Sequence, residues 1–222
     1  MKVEISPRMS LLALLLTCIS ACSENTQNVG ESTTIMENST IMSSNAEADM
    51  SNPFFSISTL PLQYPPFDQI TTEHYLPAFE KGMADHLDEI EVIVNQTEAP
   101  SFENTLMPLE LSGQLLDRVS TVFFSLSSAH TNDAINEIEV EVAPRLSAHS
   151  DQILLNAGLF ARIEDLYQRR DSLGLDAEAL RLVEENYKDF VRAGAQLDSE
   201  QKEQLTAINL ELAELSTRFS QN

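Results

Sequence analysis

Tryptophan is absent from this chain of 222 residues, glycine occurs six times and cysteine twice. What fills those places is largely Leu, Ala and Glu, residues that lose little entropy in a helix, so the composition leans to helix. Positive charge is also scarce. Thirteen Lys and Arg stand against 35 Asp and Glu, a formal net charge of -22. Such a chain repels phosphate backbones, which argues against nucleic acid as a partner. The acidity would suit cationic peptides, or serve only as a solvated surface that keeps an exported protein soluble. No apolar run approaches the roughly 20 residues that a membrane-crossing helix needs.

What is present begins with an address. Lys2 and Arg8 form a basic start, and Leu11 to Leu16 supply a short apolar core. The run ends in Ile19-Ser20-Ala21-Cys22, which resembles a bacterial lipobox. Residues 1–21 then read as a lipoprotein signal peptide and Cys22 as the lipidated residue. The other reading is an ordinary secretory signal in which Cys22 is incidental. Ser23, rather than Asp, after the cysteine points to the outer membrane, facing the periplasm. Several acyl chains on one residue anchor stably where a single chain does not. Cys18 leaves with the signal, so the mature chain has no cysteine pair for a disulfide and must be stabilised by packing.

Residues 22–51 are rich in Ser, Thr, Asn and Glu without an apolar period, and read as a flexible, disordered tether with a reach of about 30 Å. Residues 52–70 carry four prolines and exclude a continuous helix. Phe54, Phe55, Leu60, Tyr64 and Phe67 in that stretch suggest an ordered strap lying on a helical body.

From residue 71 the period is helical, and 42% hydrophobic content suffices for one sizeable domain. Leu76, Phe79, Met83, Leu87, Ile90 and Val94 form one face, with Pro77 in the first turn. A second helix is predicted from about Ser101, with Leu106, Leu109, Gly113, Leu116, Ser120 and Phe123 on one stripe whose small members admit a close neighbour. Asn132 should cap a third helix with Ile135, Ile138, Val142 and Leu146 inward and a kink at Pro144. Asn156, Asp176 and Asp198 are expected N-caps, and Gly174 and Gly194 expected stops. In the last stretch Leu205, Ile208, Leu212, Leu215 and Phe219 fall in register. The fold class is all-α, and a helix still running at the last residue suggests a longer protein.

Catalytic chemistry is missing from the residues. None of His74, His86, His130 and His149 belongs to a His-Glu-x-x-His pair or a Glu-x-x-His pair, and they read as packing or surface histidines. Nucleophile elbows, phosphate loops and dinucleotide fingerprints are absent too. Carboxylate groups such as Glu137/Glu139/Glu141 and Glu184/Glu185 read as solvated helix faces.

Several stretches nevertheless resemble the thimet oligopeptidase family of zinc peptidases. They include Thr72-Glu73-His74-Tyr75-Leu76-Pro77-Ala78-Phe79-Glu80 and Phe102-Glu103-Asn104-Thr105. Within the family the peptidyl-dipeptidases are matched by Arg118 to Phe124, Ala129 to Asp133, Ala143-Pro144-Arg145-Leu146, Arg169 to Leu175, Asp189 to Ala195 and Leu215 to Asn222. The resemblance covers about residues 52–222 and implies the multi-helix N-terminal lobe of a two-lobed, zincin-type peptidase. It implies a channel that admits short peptides, release of C-terminal dipeptides, and zinc held by His-Glu-x-x-His and a later glutamate. Those positions lie downstream of Asn222, so no catalytic or metal residue is assigned to this chain, and the rest of the peptidase is its expected partner. A different class of protein remains open beside it: a non-catalytic, lipid-anchored helical protein that binds peptides or acts as an adaptor.

Overall fold

The computed structural model describes residues 52–221. The export signal, Cys22 and the tether read from residues 1–51 lie outside the described residues. Seven α-helices follow one another among the described residues: α1 (Tyr75–Val94), α2 (Met107–Leu111), α3 (Gln114–Ala129), α4 (Asp133–Leu154), α5 (Ala157–Arg169), α6 (Ala177–Arg192) and α7 (Ser199–Ser220). No strand occurs among these residues, as expected for an all-α chain.

Side-chain caps set the starts. Asn132, Asn156, Asp176 and Asp198 each accept the backbone N–H three residues on, satisfying a donor that the first turn leaves unpaired. The Asp198 N–H in turn donates to the side-chain oxygen of Gln201, a complete capping box. At the far end of α6 the Ala195 N–H returns to the Phe190 carbonyl and the Gly194 N–H to that of Val191, with Gly194 at φ +98°. This is a Schellman stop, where a side chain would be strained. Gly174, at φ +67°, likewise follows the end of α5 and a 3-10 turn.

Two hydrophobic cores result, and α1 belongs to both. Its first half joins Phe54, α3 and the first half of α4 around Tyr75, Phe79, Val119, Phe123 and Val142. Here Phe79 and Tyr75 meet Phe123 edge to face, with ring centroids 5.3 and 5.1 Å apart. The second half joins α5 and α6 around Ile90, Leu106, Leu159, Ile163, Leu166 and Val183. α1 and α3 come close together at Gly82, where an added Cβ would stand 3.0 Å from the Leu116 Cα. The small residue that brings these helices together therefore lies on α1.

Three expectations need correction. The helix predicted from Ser101 is broken into a π-type turn (Phe102–Leu106), α2 and α3. Gly113 turns left-handed at φ +69°, its N–H held 2.7 Å from the Glu89 carboxylate, while His86 fills the space a Cβ would need. Contacts from α1 thus override a helical period that runs on in sequence, although Leu106, Leu116, Ser120 and Phe123 are all buried.

The strap is ordered, but only its two ends are packed, with Ile70 half-buried against the first core. Asn52 caps the Pro53–Phe55 turn and donates to the His74 carbonyl at 2.8 Å. Arg118 donates two N–H groups to the Phe54 carbonyl, at 3.2 and 2.7 Å. Leu60, Tyr64 and Phe67 are exposed, the last two packing on each other. The third correction concerns α7. Leu205 is half-buried against Gly194, but Ile208, Leu212, Leu215 and Phe219 face solvent. What α7 buries against α4 is small or polar, Ala213 and Thr217 above all. As for Pro144, α4 runs on through it to Leu154.

Candidate functional site

Two of the four histidines, 63 positions apart in sequence, are brought together between α1 and α4. His149 Nε2 lies 3.1 Å from His86 Nδ1, and His86 Nε2 lies 3.0 Å from the Ser112 hydroxyl. The Ser112 hydroxyl donates to the Leu109 carbonyl at 2.6 Å. Its proton is thereby committed, so it accepts from His86 Nε2–H. That leaves His86 Nδ1 as the acceptor of His149 Nε2–H, and His149 Nδ1 as a bare, buried nitrogen without a partner. Both rings are neutral in this chain of bonds.

Burial holds His149 down to about 4, with the neighbouring His86 adding to the fall. Burial also lowers His86, while Glu89 pulls the other way. Near neutral pH both rings are therefore uncharged, each with a single N–H already committed to its hydrogen bond. The basic nitrogen of His86 is engaged by His149, and that of His149 is buried. The pair is a buried polar seam where α1, α4 and the Ser112–Gly113 break meet. Sequence reasoning missed it because no local spacing links His86 to His149.

The other histidines are local. His74 Nδ1 accepts from the Thr71 N–H at 3.0 Å, closing the turn ahead of α1. His130 is exposed at the C-cap of α3.

Stretches that carried the family resemblance prove to be structural ties. In the Phe102-Glu103-Asn104-Thr105 turn, Asn104 Oδ1 accepts from the Ser101 N–H, the Thr105 hydroxyl and Arg162 Nη2, at 2.8, 2.8 and 2.9 Å. Arg162 is itself buried and donates to the Thr105 hydroxyl and to the carbonyls of Gln96 and Glu98. One guanidinium from α5 thus holds the whole 96–105 connection. Arg145 joins Glu80 of α1 to Glu141 of its own helix. Arg169 bonds Asp165 and the Pro100 carbonyl. Some carboxylates expected to be merely solvated are engaged as well: Glu139 accepts from Ser127 Oγ, and Glu185 pairs with Lys188.

A groove of ≈480 Å³ runs between the end of α4 and the start of α7, lined by Asp151, Gln152, Leu155, Lys202, Glu203 and Thr206. Its charged groups have local roles. Lys202 donates to the Leu155 carbonyl at 2.9 Å, stabilising the negative end of α4. Asp151 accepts from Asn209 at 2.8 Å. Burial raises the Asp151 carboxyl, opposed by its bonds to Asn209 and Thr206.

No group of three or more His, Cys, Asp or Glu side chains that could hold a metal ion occurs among the described residues. The only two imidazoles that meet among them are occupied by each other and by Ser112. These residues do not fit a zinc site. No described helix is long and apolar enough to cross a membrane.

No known family profile matches the chain. Individual relatives do. It is 48% identical over 170 residues to the dipeptidyl carboxypeptidase of Salmonella typhimurium and 45% identical over 170 residues to that of Escherichia coli. Each match covers 77% of this chain and 25% of the relative. Oligopeptidase A of Escherichia coli is 27% identical over 173 residues, 78% of this chain and 25% of that enzyme. The chain thus spans about a quarter of the length of the curated relatives it matches, and the quarter is their N-terminal part.

Proposed function

Since the chain belongs by homology to the thimet oligopeptidase family, we propose that it is the N-terminal part of an exported, zinc-dependent peptidyl-dipeptidase. That enzyme would release dipeptides from the C-termini of short peptides. The observation that carries the reading is the 48% identity sustained over 170 residues. Its support in the fold is that Asn104, Arg118, Arg145 and Arg162, which lie in or tie down the matching stretches, hold the helices together.

In this reading zinc, as a Lewis acid that activates water, belongs to residues outside this chain. The 222 residues supply shape: a rigid helical wall for a peptide channel, and no proton transfer. The N-terminal segment delivers the protein to the periplasm, where acylated Cys22 anchors it, at the outer membrane given Ser23.

The test is to translate the gene in frame beyond the codon for Asn222, express the longer product and assay dipeptide release from an N-blocked peptide with a free C-terminus. Activity that is lost to a chelator and restored by zinc is the expected result, with none from the 222-residue chain alone. A stop codon after Asn222 would leave the peptide-binding or adaptor reading in its place. Labelling with a radioactive fatty acid, lost in Cys22→Ser, checks the anchor.

A further inference from the structure

The last helix is built inside out. In α7, residues facing α4 include Asn209, which donates to Asp151, and the buried Ala213 and Thr217, while Lys202 reaches the Leu155 carbonyl. Ile208, Leu212, Leu215 and Phe219 are 60%, 52%, 55% and 40% exposed. At about 100° per residue these four fall within an arc of about 60°, centred roughly 130° from the buried face. A continuous apolar stripe three turns long on a surface helix is costly to leave in water. The flank beside it is net acidic, with Glu200, Glu203, Glu211 and Glu214 against Arg218.

The stripe has no cover within the described residues, and the chain spans about a quarter of its matched relatives. We propose that Ile208, Leu212, Leu215 and Phe219 of α7 form the docking surface for the remaining, downstream part of the peptidase polypeptide, which meets them with an apolar patch rimmed by basic residues. The inference rests on the functional reading above and deepens it. The acidity favours this occupant over a second copy of the chain, because two copies would each bring a net charge of -22 and an antiparallel pairing of the helices would set one acidic flank against another. It also makes the stripe the join through which α4, and hence the two cores, would be fixed to the catalytic part.

The experiment is a chimera in which residues 52–222 replace the homologous N-terminal part of the Salmonella typhimurium dipeptidyl carboxypeptidase. Dipeptide release and thermal melting are measured with and without the pair Leu212→Glu and Leu215→Glu. The same pair is placed in the 222-residue chain. Expected is an active chimera whose substituted form releases dipeptides about tenfold more slowly and melts about 5 °C lower or more, since it buries two unpaired charges. In the 222-residue chain the pair should leave helicity and melting temperature unchanged and lessen self-association. An unsubstituted chimera that folds but is inactive would overturn the functional reading, and the inference with it. An active chimera indifferent to the two glutamates would overturn the inference alone. So would a defined dimer of the 222-residue chain that the glutamates dissolve while the chimera is unaffected, which would make a second copy the occupant.

Discussion

Helices α3 and α7 both carry a regular apolar stripe, and the protein treats them in opposite ways. In α3, Leu116, Val119, Val122 and Phe123 enter the core against Tyr75 and Phe79 of α1. In α7 the equivalent stripe faces water, and the side that packs is made of alanine, threonine and polar groups. Burial depends on the facing surface as much as on the helix. α3 meets the glycine notch at Gly82, which lets aromatic rings interlock around it. α7 meets the Asp151 and Leu155 end of α4, whose polar groups are matched by Asn209 and Lys202. Polar pairing holds that contact in place of the stripe, although one carboxylate oxygen of Asp151 stays buried without a hydrogen bond.

The contrast can be broken first at its strongest point. Phe123 is fully buried and touches three aromatic rings, so Phe123→Ala should destabilise the chain by about 3–5 kcal/mol in urea unfolding. A loss below about 1 kcal/mol would mean that the α1/α3 core is not packed as described. Next comes a buried group whose partners are polar. Arg162→Ala strips donors from two carbonyls and the Thr105 hydroxyl, and should cost about 2–3 kcal/mol. Hydrogen exchange should rise specifically across residues 96–106.

The third effect is of pH. An unfolded His149 titrates at the ordinary 6.5 and the folded ring at about 4. Its neutral form therefore contributes stability that is fully present above pH 6.5, falls as the unfolded chain takes up protons, and is gone below about 4. Between pH 7.5 and pH 5 the loss should be roughly 2 kcal/mol, and His149→Gln should flatten it. An equally steep decline in that variant would assign the slope to other groups. The smallest effect sharpens the other side of the comparison. Leu215→Ser, on the exposed stripe, should change stability by less than about 0.5 kcal/mol, against the large loss at Phe123.

How much of this could be read in advance varied with the range of the forces. The four caps at Asn132, Asn156, Asp176 and Asp198 were legible because each is a bond between residues three apart. The break at Gly113 was not, since it depends on Glu89 and His86 approaching from another helix. The His86–His149 pair left no mark at all in sequence, whereas the Asn104 turn was noticed as a family signature without its reason, the guanidinium of Arg162 lying 58 positions away.

The sequence by itself determined the all-helical class, where most helices start and stop, the acidity, and the kinship with the dipeptidyl carboxypeptidases. These follow from propensity, capping and residue identity, which act along the chain. Only the tertiary structure decided which stripe each helix hides, where a continuous period is cut, and which histidines meet. Burial and close approach are properties of two surfaces at once, and α7 shows the consequence: a stripe that reads as core on paper stays in water until something fits it.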